Sequence, residues 1–425
     1  MLYALTLHTR LRRLVVFALF YFSEGLPVGF TTIALAAYLR GQGVNMTTVG
    51  TVVAATYTPW VFKWAWAPLV DLIRVQRFGP GGTWILACQS GMILTLASML
   101  AFDALSNLGL VTALVLLHNI LAATHDVAID GMAVRVIPAN EMGTANGWMF
   151  AAQFAGIAIG GSGALYVSSW WGFRASLVFL LLSLLCLLLL VTLPLREPPD
   201  EAVPAPREGS LLSAILERVR GFFRELYVGF FRSGSAPLVG ALFAAFPHGA
   251  MGLGLALSPG LQVDMKLSEQ MIGNVSFLSN IGGAFGSLLG GWLSDRTGSA
   301  RLWIAVSYIA TPLITLGVAL QLTGTGAAGL SVTVFALAVT AYSLFYGIYQ
   351  GAGSGMFMQL SSKAVAATQF TAFMALSNLS SSYSSLWQGR SVDQSGYAAT
   401  LKLDAALGFT GLLVLYWLRP KRQAE

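Results

Sequence analysis

The chain has 425 residues, of which 56% are hydrophobic and only 10% charged, with a mean hydropathy of +0.71. Soluble domains carry roughly 25% charged residues, so this composition excludes an ordinary soluble domain and points to an integral membrane protein. The formal net charge of +6 does not indicate nucleic acid, because the basic residues lie between apolar runs and form no patch.

Apolar runs near the ~20 residues needed to cross a bilayer predict six spans at about 14–39, 47–70, 83–103, 109–135, 143–168 and 173–194. The first begins as HTRLRRLVVFALFYF, like a signal peptide, but continues to Leu39 with no small-residue cleavage site. It therefore reads as an uncleaved span. Glu24 sits in its middle, in FYFSEGLPVGF, beside Gly25 and Gly29 and three residues before Pro27. Gly and Pro loosen a helix, and freed carbonyls are tolerated where backbone lines a cavity. Glu24 is thus a candidate proton carrier; the alternative is a carboxyl hydrogen-bonded to neighbours such as Ser23.

Span 2 carries Lys63 in VFKWAW and ends at Asp71, ahead of Arg74 and Arg77. Cys88 and Cys186 fall inside apolar runs without the spacing of a zinc or redox site and read as packing residues.

Span 4 contains HNILAATHDVAIDGM, two histidines and two aspartates where the pattern calls for an apolar helix. An ionisable group at the bilayer centre costs roughly 2.5–3.5 kcal/mol on insertion scales, so such groups face a cavity or a partner. Helical spacing stacks Asp126 and Asp130 on one face and His118 and His125 on an adjoining one. Lys63 lies at a comparable depth, and a Lys–Asp pair would offset much of the burial cost. That pair is either a permanent brace or a switch in gating. No metal-ligand spacing accompanies His118, His125 and His248, so neither a metal nor another cofactor is expected. His118, His125 and His248 are candidates for substrate contact, and Asp126, Asp130 and His125 join Glu24 as candidates for proton coupling.

The spans break at 196–235, a Pro-rich charged linker followed by LLSAILERVRGFFRELYVGFFR, whose apolar spacing predicts an amphipathic interfacial helix against membrane lipid. Six further spans are predicted at about 236–261, 270–293, 300–321, 327–358, 365–390 and 401–418. The expected architecture is all-α and integral, with twelve transmembrane helices in two six-helix bundles: 1–195, a cytoplasmic linker at 196–235, and 236–425. Of the 24 Lys and Arg, only Arg40, Arg174, Lys266, Arg390 and Lys402 fall opposite the termini, and Lys63 lies within a span. The positive-inside bias places both termini in the cytoplasm.

In span 10, AYSLFYGIYQGAGSGMF puts Tyr342, Phe345, Tyr346 and Tyr349 on one helical face, followed by Gln350. That face is either a stacking wall for a flat ligand or a packing surface against span 11 or lipid. GIAIGGSGA in span 5 and SNIGGAFGSLLGG in span 8 read as close helix contacts. The two halves echo one another weakly, VGTVVAATYTPWVFKWAWAPLVD against IGNVSFLSNIGGAFGSLLGGWLSD, as in transporters built from repeats.

GGWLSDRTGSAR, from Gly290 to Arg301, resembles the G-x3-D-R-x-G-x-x-R loop signature of the major facilitator superfamily, with Asp295, Arg296 and Arg301 in place. The corresponding APLVDLIRVQRFG keeps Asp71, Arg74 and Arg77 but not the rest. Such residues can latch one conformation by capping a helix or pairing across the bundles. YTPWVFKWAWAPLVD, THDVAIDGM and AATQFTAFMALSNL are similar to segments of the AmpG-type muropeptide permeases and the RhtX and FptX siderophore permeases, and they add Gln369 to the substrate candidates. This resemblance implies that spans 1, 4, 7 and 10 line a central cavity and that the protein is a monomer in the bacterial inner membrane.

The expected function is alternating-access, proton-coupled secondary transport of a small molecule. An aromatic wall with few cations favours a siderophore or its iron complex, whereas a muropeptide with several carboxylates is the alternative, ahead of other drugs or metabolites. No G-x-S-x-G, H-E-x-x-H or Walker A motif suggests an enzyme or an ATP-driven pump.

Overall fold

The computed structural model describes residues 5–72, 79–138, 142–197, 211–232, 235–255, 257–360 and 366–418. In the first half, α1 (Arg10–Gly41), α2 (Met46–Leu72), α3 (Pro80–Met99), α4 (Leu108–Val136), α5 (142–171) and α6 (Phe173–Thr192) run alternately up and down. After the linker helix α7 (Leu211–Tyr227) come α8 (Ser235–Ala245), α9 (Leu257–Asp264), α10 (Glu269–Thr297), α11 (Ala300–Thr325), α12 (Val332–Leu360) and α13 (Ala366–Trp417).

Eight helices among the described residues are long and apolar enough to cross a membrane. One of them, α13, is interrupted at Gly396 (φ 76°), where a left-handed residue makes the turn between two spans. With α2, α10 and the broken α8–α9 pair, the arrangement agrees with twelve crossings in two six-helix bundles. Residues 41–46, 99–108 and 171–173 therefore mark one end of the first bundle, here the far end; the start of α1 marks the near end.

Two seams of glycine set the helix packing. A side chain at Gly25 or Gly29 of α1 would collide with the backbone at Gln153 or Ile157 of α5, and Gly156 and Gly160 return the same contact against Phe22 and Leu26. In the second bundle Gly286 and Gly290 of α10 meet Leu344 and Ile348 of α12 in the same way. Small residues let helix backbones approach where lipid supplies no hydrophobic drive. Gly25 and Gly29 thus serve close packing. The backbone does widen just beyond Pro27, as a π-helical turn over Phe30–Leu35.

At the near end, strand β1 (Leu5–Thr6) pairs in parallel with β2 (Leu195–Arg196), joining the entry to α1 with the exit of α6. Glu197 then accepts from the amides of Gly81 and Gly82 at the start of α3 (2.8 and 3.0 Å) and from Arg135 of α4 (2.8 Å). Linker helix α7 is amphipathic, as the spacing predicts. Leu212, Leu216 and Tyr227 are exposed, while Phe223 meets the edge of Trp64 of α2 at 5.3 Å.

The structure corrects one element. Span 7, expected as a continuous helix over about 236–261, is broken between α8 and α9. Pro247 and Gly249 (φ 71°) end α8, and a 3₁₀ turn at Gly252–Gly254 precedes α9. The break is pinned from α13, where Asp404 accepts from the Gly252 amide (2.8 Å) and from Gln388 Nε2 (2.7 Å). Freed peptide groups inside a membrane protein need such partners.

Candidate functional site

The charged side chains of α1, α2 and α4 meet inside the first bundle. Glu24 and His125 are both fully buried and face one another, with Oε1 3.2 Å from Nδ1. Asp126, the next residue on α4, forms an ion pair with Lys63 of α2. One turn further on, Asp130 accepts from the Tyr21 hydroxyl at 2.8 Å. The spacing on each helix explains this: Tyr21 and Glu24 share a face of α1, and Asp126 and Asp130 share one of α4.

Aromatic side chains support the ion pair. Lys63 Nζ lies 5.4 Å from the Trp60 ring, a cation–π distance. Trp60 and Trp66 donate to Asn119 and Thr124 of α4, at 3.4 and 2.9 Å. Lys63 keeps 12% of its side chain accessible against 5% for Asp126, so the pair is almost wholly withdrawn from solvent. Three carboxyl groups thus share a single ammonium, and the cluster carries surplus negative charge unless it binds protons.

The second bundle holds an aromatic interior. His248, in the break of span 7, stacks on Tyr349 at 4.8 Å, and Tyr308 meets the same ring at 5.6 Å. Tyr342 and Tyr346 lie parallel at 6.2 Å. Tyr342 and Tyr349 are only 1% and 2% exposed, so much of the span 10 face is internal packing; Phe345, Tyr346 and Gln350 remain half-buried.

The other expected residues lie elsewhere. Gln369 is buried at the near end, where its amide donates to the Gly229 carbonyl at 2.6 Å, and it meets the linker rather than the aromatic face. Arg301 donates to the Tyr416 carbonyl at 2.9 Å, satisfying an orphan acceptor at the end of α13 within its own bundle. Arg296 is exposed, 5.2 Å from the Trp292 ring. Arg74 and the side chains of Asp71 and Asp295 lie outside the described residues. His118 is buried against Thr95 of α3, two turns from His125 on the same stripe of α4.

At the far end the two bundles touch through groups the sequence reading missed. Arg40, ending α1, makes a two-pronged pair with Asp264, ending α9, with contacts between 2.7 and 3.2 Å. Asp393 of α13 caps α2, accepting from the amides of Met46 and Thr47 (2.9 and 2.6 Å) and from the Thr47 hydroxyl (2.7 Å). Gly50 and Gly389 bring α2 and α13 together beside these contacts, and Tyr166 of α5 reaches Asn274 of α10. These residues sit at loop edges with ordinary surface polarity, so only their partners reveal them.

Two helical bundles meeting along α2/α13 and α5/α10 form the architecture that the family model for the Major Facilitator Superfamily matches over residues 14–385. The chain belongs to this superfamily. Among curated relatives of this superfamily member, the anhydromuropeptide permease of Escherichia coli (strain K12) is 26% identical over 405 residues, covering 93% of this chain and 77% of that protein. Putative transporter AmpG 4 of Rickettsia conorii is 22% identical, covering 94% of each. A crystal structure of a D-xylose–proton symporter superimposes with a TM-score of 0.73 at 11% identity, over 97% of this chain and 98% of the other. A POT family transporter in complex with 5-aminolevulinic acid gives 0.71 at 12% identity, over 97% of each. This facilitator-superfamily protein is a multi-pass membrane transporter, and its relatives and fold neighbours are transporters.

Proposed function

We propose that this protein is a proton-coupled inner-membrane permease that carries muropeptides into the cytoplasm. The likeness to the anhydromuropeptide permease across nearly the whole chain carries this reading. It displaces the siderophore, which the sequence favoured because span 10 looked like a free aromatic wall. With Tyr349 buried inside its own bundle and Tyr342 buried in the core where the two bundles meet, that argument loses its force. Lys63, once released from Asp126, would supply a cation for a carboxylate-bearing ligand.

In this mechanism, substrate sits between the bundles and the charged cluster couples its passage to protons. Proton loading of Asp126 would release Lys63, because the neutral acid no longer holds the ammonium; Glu24 and Asp130 are the other candidate carriers. Positive-inside bias assigns the near end to the cytoplasm, so the contacts of Arg40, Asp264 and Asp393 close the periplasmic side. This is then a member of the cycle closed to the periplasm.

The test is uptake into proteoliposomes under an inward proton gradient, comparing labelled anhydromuropeptide with a labelled ferric siderophore. Accumulation of the muropeptide alone is the expected result. Siderophore uptake without muropeptide uptake would reverse the substrate assignment, and gradient-independent uptake would remove the coupling.

A further inference from the structure

Building on the proton-coupled reading, we propose that His118 carries protons between a far-end cavity and the Glu24–His125 pair, giving the first bundle a proton route beside the substrate passage. The cavity, about 400 Å³, opens between α1, α4 and α6, and its lining includes Phe30, Met99, Val111, Phe173, Asp103 and Arg174. Asp103 stands in the loop between α3 and α4. Hydrogen bonds from the Ser106 hydroxyl and amide hold its carboxyl below the usual carboxylate range, and Arg174 contributes in the same sense.

His118 lies beneath that cavity, beyond the buried Val115 on the same stripe of α4. Thr95 lies one turn below Met99 on α3, and His118 lies two turns below Val111 on α4, about 6 and 10 Å deeper by helical rise. The Thr95 hydroxyl donates to the Met92 carbonyl at 2.8 Å, so its oxygen accepts from His118 Nδ1 at 2.8 Å. Fixing the proton on Nδ1 leaves Nε2 as the bare, basic nitrogen.

That nitrogen is buried and has no hydrogen-bond partner, and the same holds for His125 Nε2 and Glu24 Oε2. Buried polar atoms without protein partners mark places that water must reach. His125 repeats the arrangement seven residues on, its Nδ1 directed at Glu24. Ala122, 1% exposed, lies between the two rings on the same stripe of α4 and is small enough to leave room.

A proton arriving from the cavity adds to His118 Nε2 and makes the imidazolium; its loss inward restores the neutral ring, and water passes it to His125 and on to Glu24. The groups facing His118 are neutral: the Thr95 hydroxyl and the Met92 carbonyl, both on α3. Those facing His125 are Glu24 and the edge-on ring of Phe20, with Asp126, Lys63 and Asp130 following. The line therefore runs from a neutral base to the charged cluster.

The experiment uses the full chain in proteoliposomes with two readouts. The first needs no substrate: in a Cys88→Ala, Cys186→Ala background, Ala122→Cys is treated from the far side with a small impermeant methanethiosulfonate. Labelling is expected, as at an exposed Leu110→Cys control; absence of labelling at Ala122→Cys alone overturns the route. The second compares His118→Leu with the gentler His118→Gln, which keeps a bond to Thr95. Gradient-driven accumulation of anhydromuropeptide should fall to the level of exchange, while counterflow at equal pH stays at the wild-type rate. Unchanged accumulation overturns the proposal, and so does equal loss of both activities in folded protein. If the wild type moves no muropeptide at all, the substrate assignment fails and the labelling result decides the route.

Discussion

The two bundles share a helix arrangement and differ in what they bury. The first encloses three carboxyl groups, one ammonium and two imidazoles, with Lys63 on Asp126, His125 on Glu24 and the Tyr21 hydroxyl on Asp130. The second encloses aromatic rings around a broken helix, with Asp404 held by an amide and a glutamine rather than by a cation. A buried ion pair loses much when one partner goes, whereas a hydrogen-bonded carboxylate loses one or two bonds. The contrast therefore teaches a division of work: charge that can be loaded and unloaded on one side, and a hinge with adaptable aromatic packing on the other.

The sharpest way to break this comparison is Lys63→Met. It leaves Asp126 unpaired, and the loss should approach the 3–5 kcal/mol typical of a broken buried pair, about 3 or more here. Thermal unfolding in detergent checks it. Adding Asp126→Asn should restore stability without restoring gradient-driven uptake; a double mutant that transports normally would make the pair only a brace.

Asp404→Ala should follow, at about 1–3 kcal/mol, because the Gly252 amide and Gln388 lose their acceptor. Asp404→Asn should cost less, and a thermal shift for it equal to that of Lys63→Met would erase the distinction between the bundles. Glu24→Gln should be milder for folding, since the amide keeps an oxygen for His125 Nδ1. It should abolish the dependence of uptake on the pH gradient while sparing counterflow, and retained gradient-driven uptake removes Glu24 from the coupling. Arg40→Ala should have the smallest effect on stability, within about 1 kcal/mol, as for a partly exposed pair. Its sign appears elsewhere: faster labelling of a Thr47→Cys reporter as the far end opens more often.

Much of the fold was legible because membrane spans write themselves as long apolar runs. Span ends agree to within a few residues for α2 and α4, and the amphipathic linker helix followed from spacing alone. The break in span 7 was not foreseen, although Pro247, Gly249, Gly252 and Gly254 stand together in the sequence. Hydropathy is blind to it, since a broken apolar span counts the same as a continuous one. Glu24, Lys63, Asp126, Asp130 and His125 stood out because charge inside an apolar run is costly. Their pairing did not, because helices far apart in the chain decide which groups meet. Tyr21, Thr95 and Asp404 escaped notice for the opposite reason: a hydroxyl is cheap in such a run, and Asp404 lies in the predicted last span close to its end. The span 10 face stays ambiguous in sequence, because an aromatic face reads the same whether it meets ligand or packs inside the protein.

The glycine seams carry a mechanical consequence. Where α1 meets α5 and α10 meets α12, carbonyl oxygens rest against Cα atoms with no side chain between. Shear along either seam by a single residue would drive Ile157 or Leu344 into the opposing main chain. Each seam thus behaves as a keyed joint with one permitted register, and opening the protein must tilt whole panels rather than slide their members.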